Sequence, residues 1–222
     1  PIPPLNRDAI SPPSAASGGI PNPTPAYLAQ AYLSPQRTSQ PQPLLVIIDL
    51  NGTLLHRPSP RAPSTFIERP RAGEFLRECL DAFYVVIWSS ARPDNVGKMV
   101  RQLLPEPAQR ARVLATWGRD RFGLSAADYY QRTQCYKRLT KVWTDPGVAA
   151  AHPLAGGRWG QANTVLIDDS IEKARSEPFN AVTIPEFTGR KGTDEVLALV
   201  HEYLCVLSMQ ADVSAFVRTH PF

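Results

Sequence analysis

Five apolar runs punctuate the chain: LLVIIDL (44–50), FYVVIWSS (83–90), RVLATW (112–117), NTVLIDDS (163–170) and NAVTI (180–184). Continuous apolar runs of this length, bounded by turn residues, read as strands buried on both faces of a sheet. Between them the apolar spacing changes to a helical period. Pro70 and Arg71 open a helix with Phe75, Leu76, Cys79 and Leu80 on one face. Pro93 starts a second helix through DNVGKMVRQLL, a third is predicted near Tyr136–Trp143, and Thr193 caps a last amphipathic helix running to about Met209. Strands that alternate with helices predict an α/β fold, a Rossmann-like parallel sheet with helices on both faces. In such sheets ligands gather at the carboxyl ends of the strands. The first, second and fourth runs each end in polar residues, so three strands deliver side chains to one edge.

The stretch before Leu44 has a different character. Residues 1–43 are rich in Pro, Ser, Ala and Gln and nearly uncharged, so they are expected to be a disordered or loosely polyproline-like tail, with one domain over 44–222. Tyr27, Leu28, Tyr32 and Leu33 are an exception that can dock back on the domain. Across all 222 residues, 43% are hydrophobic, enough for a sizeable core, and the formal charge is +4. That mild excess suits a phosphorylated or acidic partner and equally a solvated basic surface. No basic run is long enough for a nucleic-acid arm, and no apolar run is long enough to span a bilayer. The three cysteines, Cys79, Cys135 and Cys205, match no metal spacing, and an odd count argues against a disulfide framework and for a reducing compartment. Cys79 and Cys205 read as small core residues of helices. The chain opens on Pro1 without a methionine and so reads as a fragment.

The strand ends carry the candidate chemistry. Asp49 closes a buried strand and is followed by a loop in which Gly52 permits a sharp turn that exposes amides to an anion. A carboxylate there can attack a phosphoryl group and form an aspartyl-phosphate. Ser89 and Ser90 end the second strand and can hydrogen-bond phosphoryl oxygens. Lys137, with Lys141 as the competing candidate one turn on, can neutralise phosphate charge and hold the carboxylate. Asp168 and Asp169 end the fourth strand. Two adjacent carboxylates beside Asp49 call for a hard, oxygen-liganded cation, for which Mg2+ is the natural choice.

The order Asp-x-Asn-Gly-Thr, strand-end Ser, Lys, Asp-Asp resembles the four motifs of the haloacid dehalogenase superfamily. DLNGTLLHR, VVIWSSARPDNV, YKRLTKVW and NTVLIDDSIEKA resemble in particular its FCP/SCP-like branch, which contains phosphatases of the RNA polymerase II C-terminal domain. The resemblance covers roughly residues 44–208. It implies that Asp49 is the nucleophile and a metal ligand, that Asn51 binds metal through its backbone carbonyl, and that Thr53 orients the loop. It further implies Ser89 as the phosphate-binding hydroxyl, Lys137 as the stabilising lysine, and Asp168 with Asp169 as the metal pair, Asp169 first. One position departs from the pattern. The family's general acid/base is an aspartate two residues after the nucleophile, and here that residue is Asn51, which can neither give nor take the proton. General acid–base help is worth about 10²–10⁴-fold. Two expectations follow: a phosphatase with impaired hydrolysis, with His56 as a conceivable substitute base, or a pseudophosphatase that binds without turnover, as in the phosphatase-like subunit of the mitochondrial inner-membrane translocase.

The stretch 54–70 is too short for a folded cap domain and 89–137 is largely used by a helix, a strand and one loop, so an open site and a phosphorylated or acidic protein segment are expected, in preference to a nucleic acid. Arg119, Arg121 and the aromatics of Trp117–Tyr130, with His56, Arg57, Arg61 and Arg92, are candidates to hold it. The resemblance leaves nuclear, cytoplasmic and mitochondrial locations open.

Overall fold

The computed structural model describes residues 10–59, 62, 65–190 and 192–222. Its centre is a five-stranded parallel sheet of β1 (Leu45–Ile48), β4 (Tyr84–Trp88), β5 (Val113–Trp117), β6 (Thr164–Asp168) and β7 (Ala181–Thr183), in the order β5-β4-β1-β6-β7. All five correspond to the apolar runs. A short antiparallel hairpin, β2 (Leu55–His56) with β3 (Ile67–Glu68), lies between the first strand and its helix, where only a loop was expected.

Alternation along the strands sends successive side chains to opposite faces. Val46 and Ile48 join Val85, Ile87, Val165 and Ile167 in a core covered by the Ala72–Ala82, Pro93–Leu103 and Val196–Ser208 helices. Leu45 and Ile47 face the other way, against Trp88, Trp117, Phe122, Leu139 and Trp159. Because β1 is central, the chain leaves it toward β4 and β5 and returns on its other side to β6 and β7. That reversal opens a crevice at the carboxyl end of β1, where parallel sheets place their ligands.

Four expectations change. Residues 10–43 are not a free tail but a strap across the domain. Tyr27 is buried and its hydroxyl donates to Asn180 Oδ1 at 2.9 Å while accepting from Phe179 N at 2.9 Å. Asp128 accepts from Ser14 N at 2.9 Å, from Ser14 Oγ at 2.6 Å and from Ser17 Oγ. Thr38 N donates to Met209 O and Ala211 N to Gln36 O, at 2.8 and 2.7 Å. The composition argument counts apolar surface, whereas this strap is held mainly by polar groups of the domain that accept or donate to it. Of the four residues expected to dock, Tyr27, Leu28, Tyr32 and Leu33, Tyr27 is buried but Tyr32 and Leu33 stay exposed.

The helix expected over 136–143 is only one turn, Thr140–Trp143. The last long helix begins at Val196, with Asp194, not Thr193, accepting from the Val196 amide at 3.2 Å. Cys205 lies on that helix's solvent side, away from the Val200, Leu204 and Leu207 stripe, and is exposed, while Cys79 and Cys135 are buried. No helix among the described residues is long and apolar enough to cross a membrane.

Candidate active site

Asp49 follows β1 directly, its amide donating to Ile167 O at 3.0 Å, so the carboxylate stands between the ends of β4 and β6. The loop behind it is wound tightly, with Leu50 O accepting from Thr53, Leu54 and Leu55 amides at 3.2, 2.8 and 3.0 Å. Gly52 sits at φ 89°, and a Cβ there would lie 2.5 Å from Asp169 Oδ2, so both the backbone conformation and the space demand glycine. Thr53 is buried. Arg69, itself 3% exposed, donates to Thr53 O and Pro185 O at 3.1 Å each and pairs with Asp194 at 2.8 Å. It ties the loop to the chain after β7. Sequence reasoning passed over Arg69, whose only signal was an arginine beside a proline at the helix start.

Lys137 is the hub. Its ammonium, fully buried, donates to Asp49 Oδ1 and Asp168 Oδ2 at 2.7 Å each. It does not start a helix. It sits in an irregular stretch three residues before Thr140, where Arg138 N donates back to Tyr136 O at 3.1 Å, and its own amide donates to Lys173 O at 2.8 Å. The amide bond to Lys173 O anchors Lys137 beside the turn that follows β6, which places its ammonium at the sheet edge. Lys141 instead lies over Gly123, beside Trp117 and Asp120.

A second lysine, unforeseen from the sequence, completes the cluster. Lys173 Nζ lies 2.8 Å from Asp168 Oδ1, 3.2 Å from Asp169 Oδ1 and 3.5 Å from Asp49 Oδ2. Its signal was the spacing of four from Asp169 on a helical turn. Burial would raise the Asp168 carboxyl, but Lys137 and Lys173 together hold it down to about 2. Burial pushes Asp169 up to about 6 against the pull of Lys173, with Asp49 and Asp168 adding to the rise. Burial alone would lower the Lys173 ammonium; the three carboxylates overcome it and raise it above the ordinary lysine value.

Residue 51 faces a different environment. Asn51 is half-buried, and its Oδ1 accepts from Arg57 N at 3.1 Å and Arg57 Nε at 3.4 Å. Burial lowers the Arg57 guanidinium from its usual value, with Asp49 opposing. Asn51, Arg57, Ser59, Ser90, Arg92 and Asn95 line a cleft of about 380 Å3 at the mouth of the site. Ser90 also borders a cavity of about 210 Å3 with Ile10, Arg119, Arg132, Cys135 and Lys173. Ser89 is buried one residue past β4, with its Oγ accepting from Ala91 N at 3.3 Å.

Other expected site residues lie apart or are already engaged. His56 packs against Gly189 and borders neither cleft. Arg119 is committed to holding its own loop, donating to the carbonyls of Asp128, Tyr129 and Gln131 at 3.1, 2.8 and 2.8 Å. Arg121 lies over the Trp117 ring, beside Lys141. Arg61 is outside the described residues.

Residues 44–214 match the family model of NLI interacting factor-like phosphatases. A curated relative, an uncharacterized FCP1 homology domain-containing protein of Schizosaccharomyces pombe, is 31% identical over 217 residues, covering 91% of this chain and 86% of its own length. Among solved structures, Fcp1, an essential RNA polymerase II CTD phosphatase, matches 74% of this chain and 48% of its own at 16% identity and a TM-score of 0.45. A fission yeast Fcp1 variant bound to beryllium fluoride matches 83% of this chain and 52% of its own at 14% identity and a TM-score of 0.39. The chain thus spans about half the length of these solved relatives.

Proposed function

The chain belongs to the NLI interacting factor-like phosphatase family, and from that premise we propose that it is a Mg2+-dependent, aspartate-nucleophile phosphatase-type domain for a phosphorylated protein segment, with hydrolysis held back at Asn51. The observation that carries this reading is the contrast at one loop. Asp49 has ammonium partners on both oxygens, while the side chain two residues later is an amide turned to Arg57.

One oxygen of Asp49 attacks phosphorus; the aspartyl-phosphate bond forms, the ester P–O bond breaks, and the leaving oxygen departs with the electron pair. Lys137 and the Ser89 and Ser90 hydroxyls supply positive potential and donors for the phosphoryl oxygens, whereas the Gly52, Thr53, Leu54 and Leu55 amides, expected to meet an anion, are turned inward to Leu55 O and Leu50 O. An alkoxide needs a proton at this point, and Asn51 has none to give; a phenolate leaves without one. Water then attacks phosphorus and Asp49 is released, the proton of water passing to solvent because residue 51 cannot accept it. The missing help is about 10²–10⁴-fold.

The residues present fit a hard divalent cation. Asp49, Asp168 and Asp169 offer oxygens within 4.8 Å of one another. Asp49 Oδ2 is buried with no hydrogen-bond donor among the described residues. The Asp168 oxygens are taken up by Lys137, Lys173 and the Ser170 amide, which leaves Asp49 and Asp169 with the spare capacity. Bound there, Mg2+ would screen the phosphate from the anionic nucleophile.

Among its described residues, the 54–70 stretch carries the β2–β3 hairpin and no other helix or strand. An open mouth suits a macromolecular substrate that itself excludes water. The solved relatives are named for the RNA polymerase II CTD, and the proposed substrate class is an extended phosphoserine or phosphothreonine peptide. A non-catalytic phosphate-binding role is the alternative, favoured by the Lys173 ammonium lodged among the carboxylates. An assay with Mg2+ on phosphopeptide separates the two. Asn51→Asp should gain about 10²–10⁴-fold over the natural chain, and the gain should vanish in Asp49→Asn/Asn51→Asp. Peptide binding without turnover in every variant would establish the binding role instead.

A further inference from the structure

We propose that Lys173 is a resident counter-cation of the Asp49–Asp168–Asp169 cluster, one that a divalent ion must displace, so that it sets how tightly the site holds metal. The inference rests on reading that cluster as the cation site. Lys173 Nζ touches one oxygen of each carboxylate, at 3.5, 2.8 and 3.2 Å, and so occupies the space toward which all three point. Charge counting leads the same way. Three carboxylates with Lys137 and Lys173 carry a net −1, so most of the field that would attract a divalent ion is already cancelled. With Lys173 gone the cluster carries −2. Two cations sharing the same oxygens inside a buried site would repel strongly.

The two lysines differ in their freedom to move. Lys137 has a fully buried side chain with its ammonium bridging two strand ends. The Lys173 side chain is 16% exposed, rises from the short Ile171–Ala174 turn and borders the 210 Å3 cavity beside Ser90. That cavity gives a displaced ammonium a place next to Ser90, one of the two strand-end serines expected to meet phosphate. Lys137 is therefore the fixed charge of the site and Lys173 the exchangeable one. Asp49 Oδ2 supports the exchange independently: it is buried, it lacks a hydrogen-bond donor, and Lys173 approaches it only to 3.5 Å, so its strongest partner is still to come.

The test is Mn2+ binding to the full chain, read by the electron paramagnetic resonance of free Mn2+, in the natural protein and in Lys173→Met, which keeps the stem and removes the charge. The variant should bind Mn2+ at least about tenfold more tightly, and its melting temperature should fall in chelator and recover with Mg2+. Equal or weaker binding by a folded variant overturns the proposal while keeping the cluster as a metal site. Absence of saturable binding in both proteins overturns the proposal and the metal reading together. Should Lys173→Met not fold, amine-directed labelling of the natural protein, located by mass spectrometry, replaces it. Labelling at Lys173 should rise when Mg2+ is added, and unchanged or reduced labelling contradicts displacement.

Discussion

The two sides of the nucleophile loop are built on opposite terms. On the Asp49 side, three carboxylates and two ammonium groups are packed within ion-pair distance at the end of a buried sheet. Asp49, Asp168 and the two lysines each have more than one partner, so no single contact decides their positions. On the Asn51 side, one neutral amide meets one guanidinium at the edge of an open cleft. Carboxylates are concentrated where a phosphoryl group would be attacked, and none lines the cleft where a proton would be moved. On the proposed function the site therefore separates into a part that is over-determined by folding and a part that one residue would alter without touching the fold.

That contrast can be broken by attacking the buried side. Removing the Lys137 charge leaves Asp49 and Asp168 facing each other with Lys173 alone, and breaking a buried pair costs about 3–5 kcal/mol. Lys137→Met should lower the midpoint of urea unfolding accordingly. A loss under about 1 kcal/mol would show that the cluster does not hold the sheet edge as described.

The contrast can be sharpened on the open side. In Asn51→Asp, Arg57 would lie beside the new carboxyl and favour its charged form by about 1–3 pH units. An acid must be protonated to serve the leaving group, so the alkaline limb of turnover should lie low. Adding Arg57→Gln to Asn51→Asp should move that limb to higher pH by one unit or more. An unmoved limb would mean that Arg57 does not govern the chemistry of position 51.

The smallest effect concerns Asp169. Its folded value of about 6 lies above that of a free aspartate, so the folded chain holds more protons between pH 4 and 6. The group's contribution is full below about pH 4 and is lost as pH rises through 6. In chelator, Asp169→Asn should match the natural protein near pH 4 and exceed it by about 1 kcal/mol above pH 6, after allowing for solvent screening. Parallel stability curves would contradict that assignment.

Much of this site was legible because burial leaves a mark on sequence. LLVIIDL and NTVLIDDS announce strands on both sides of a carboxylate edge, and motif order singles out Lys137. The local backbone of Lys137 was not legible, since an irregular stretch held by contacts to Lys173 O has no periodic signature. Lys173 was hidden for a similar reason: a lysine four residues after Asp169 reads as an ordinary helical ion pair until the sheet brings Asp49 beside it. The strap misled because Ser14, Ser17 and Tyr27 are held by hydrogen bonds to Asp128 and Asn180, more than 100 positions away. Hydropathy records none of that.

The central claim is an intact nucleophile beside an absent proton carrier, and pre-steady-state release of a phenol from an aryl phosphate with Mg2+ tests it most directly. The natural chain should release about one equivalent in a burst, as Asp49 is phosphorylated, followed by slow turnover as the aspartyl-phosphate waits for water. Asn51→Asp should show faster steady turnover and a smaller burst, and Asp49→Asn should show neither phase. A natural chain that releases no burst, with Asn51→Asp equally silent, would contradict the account.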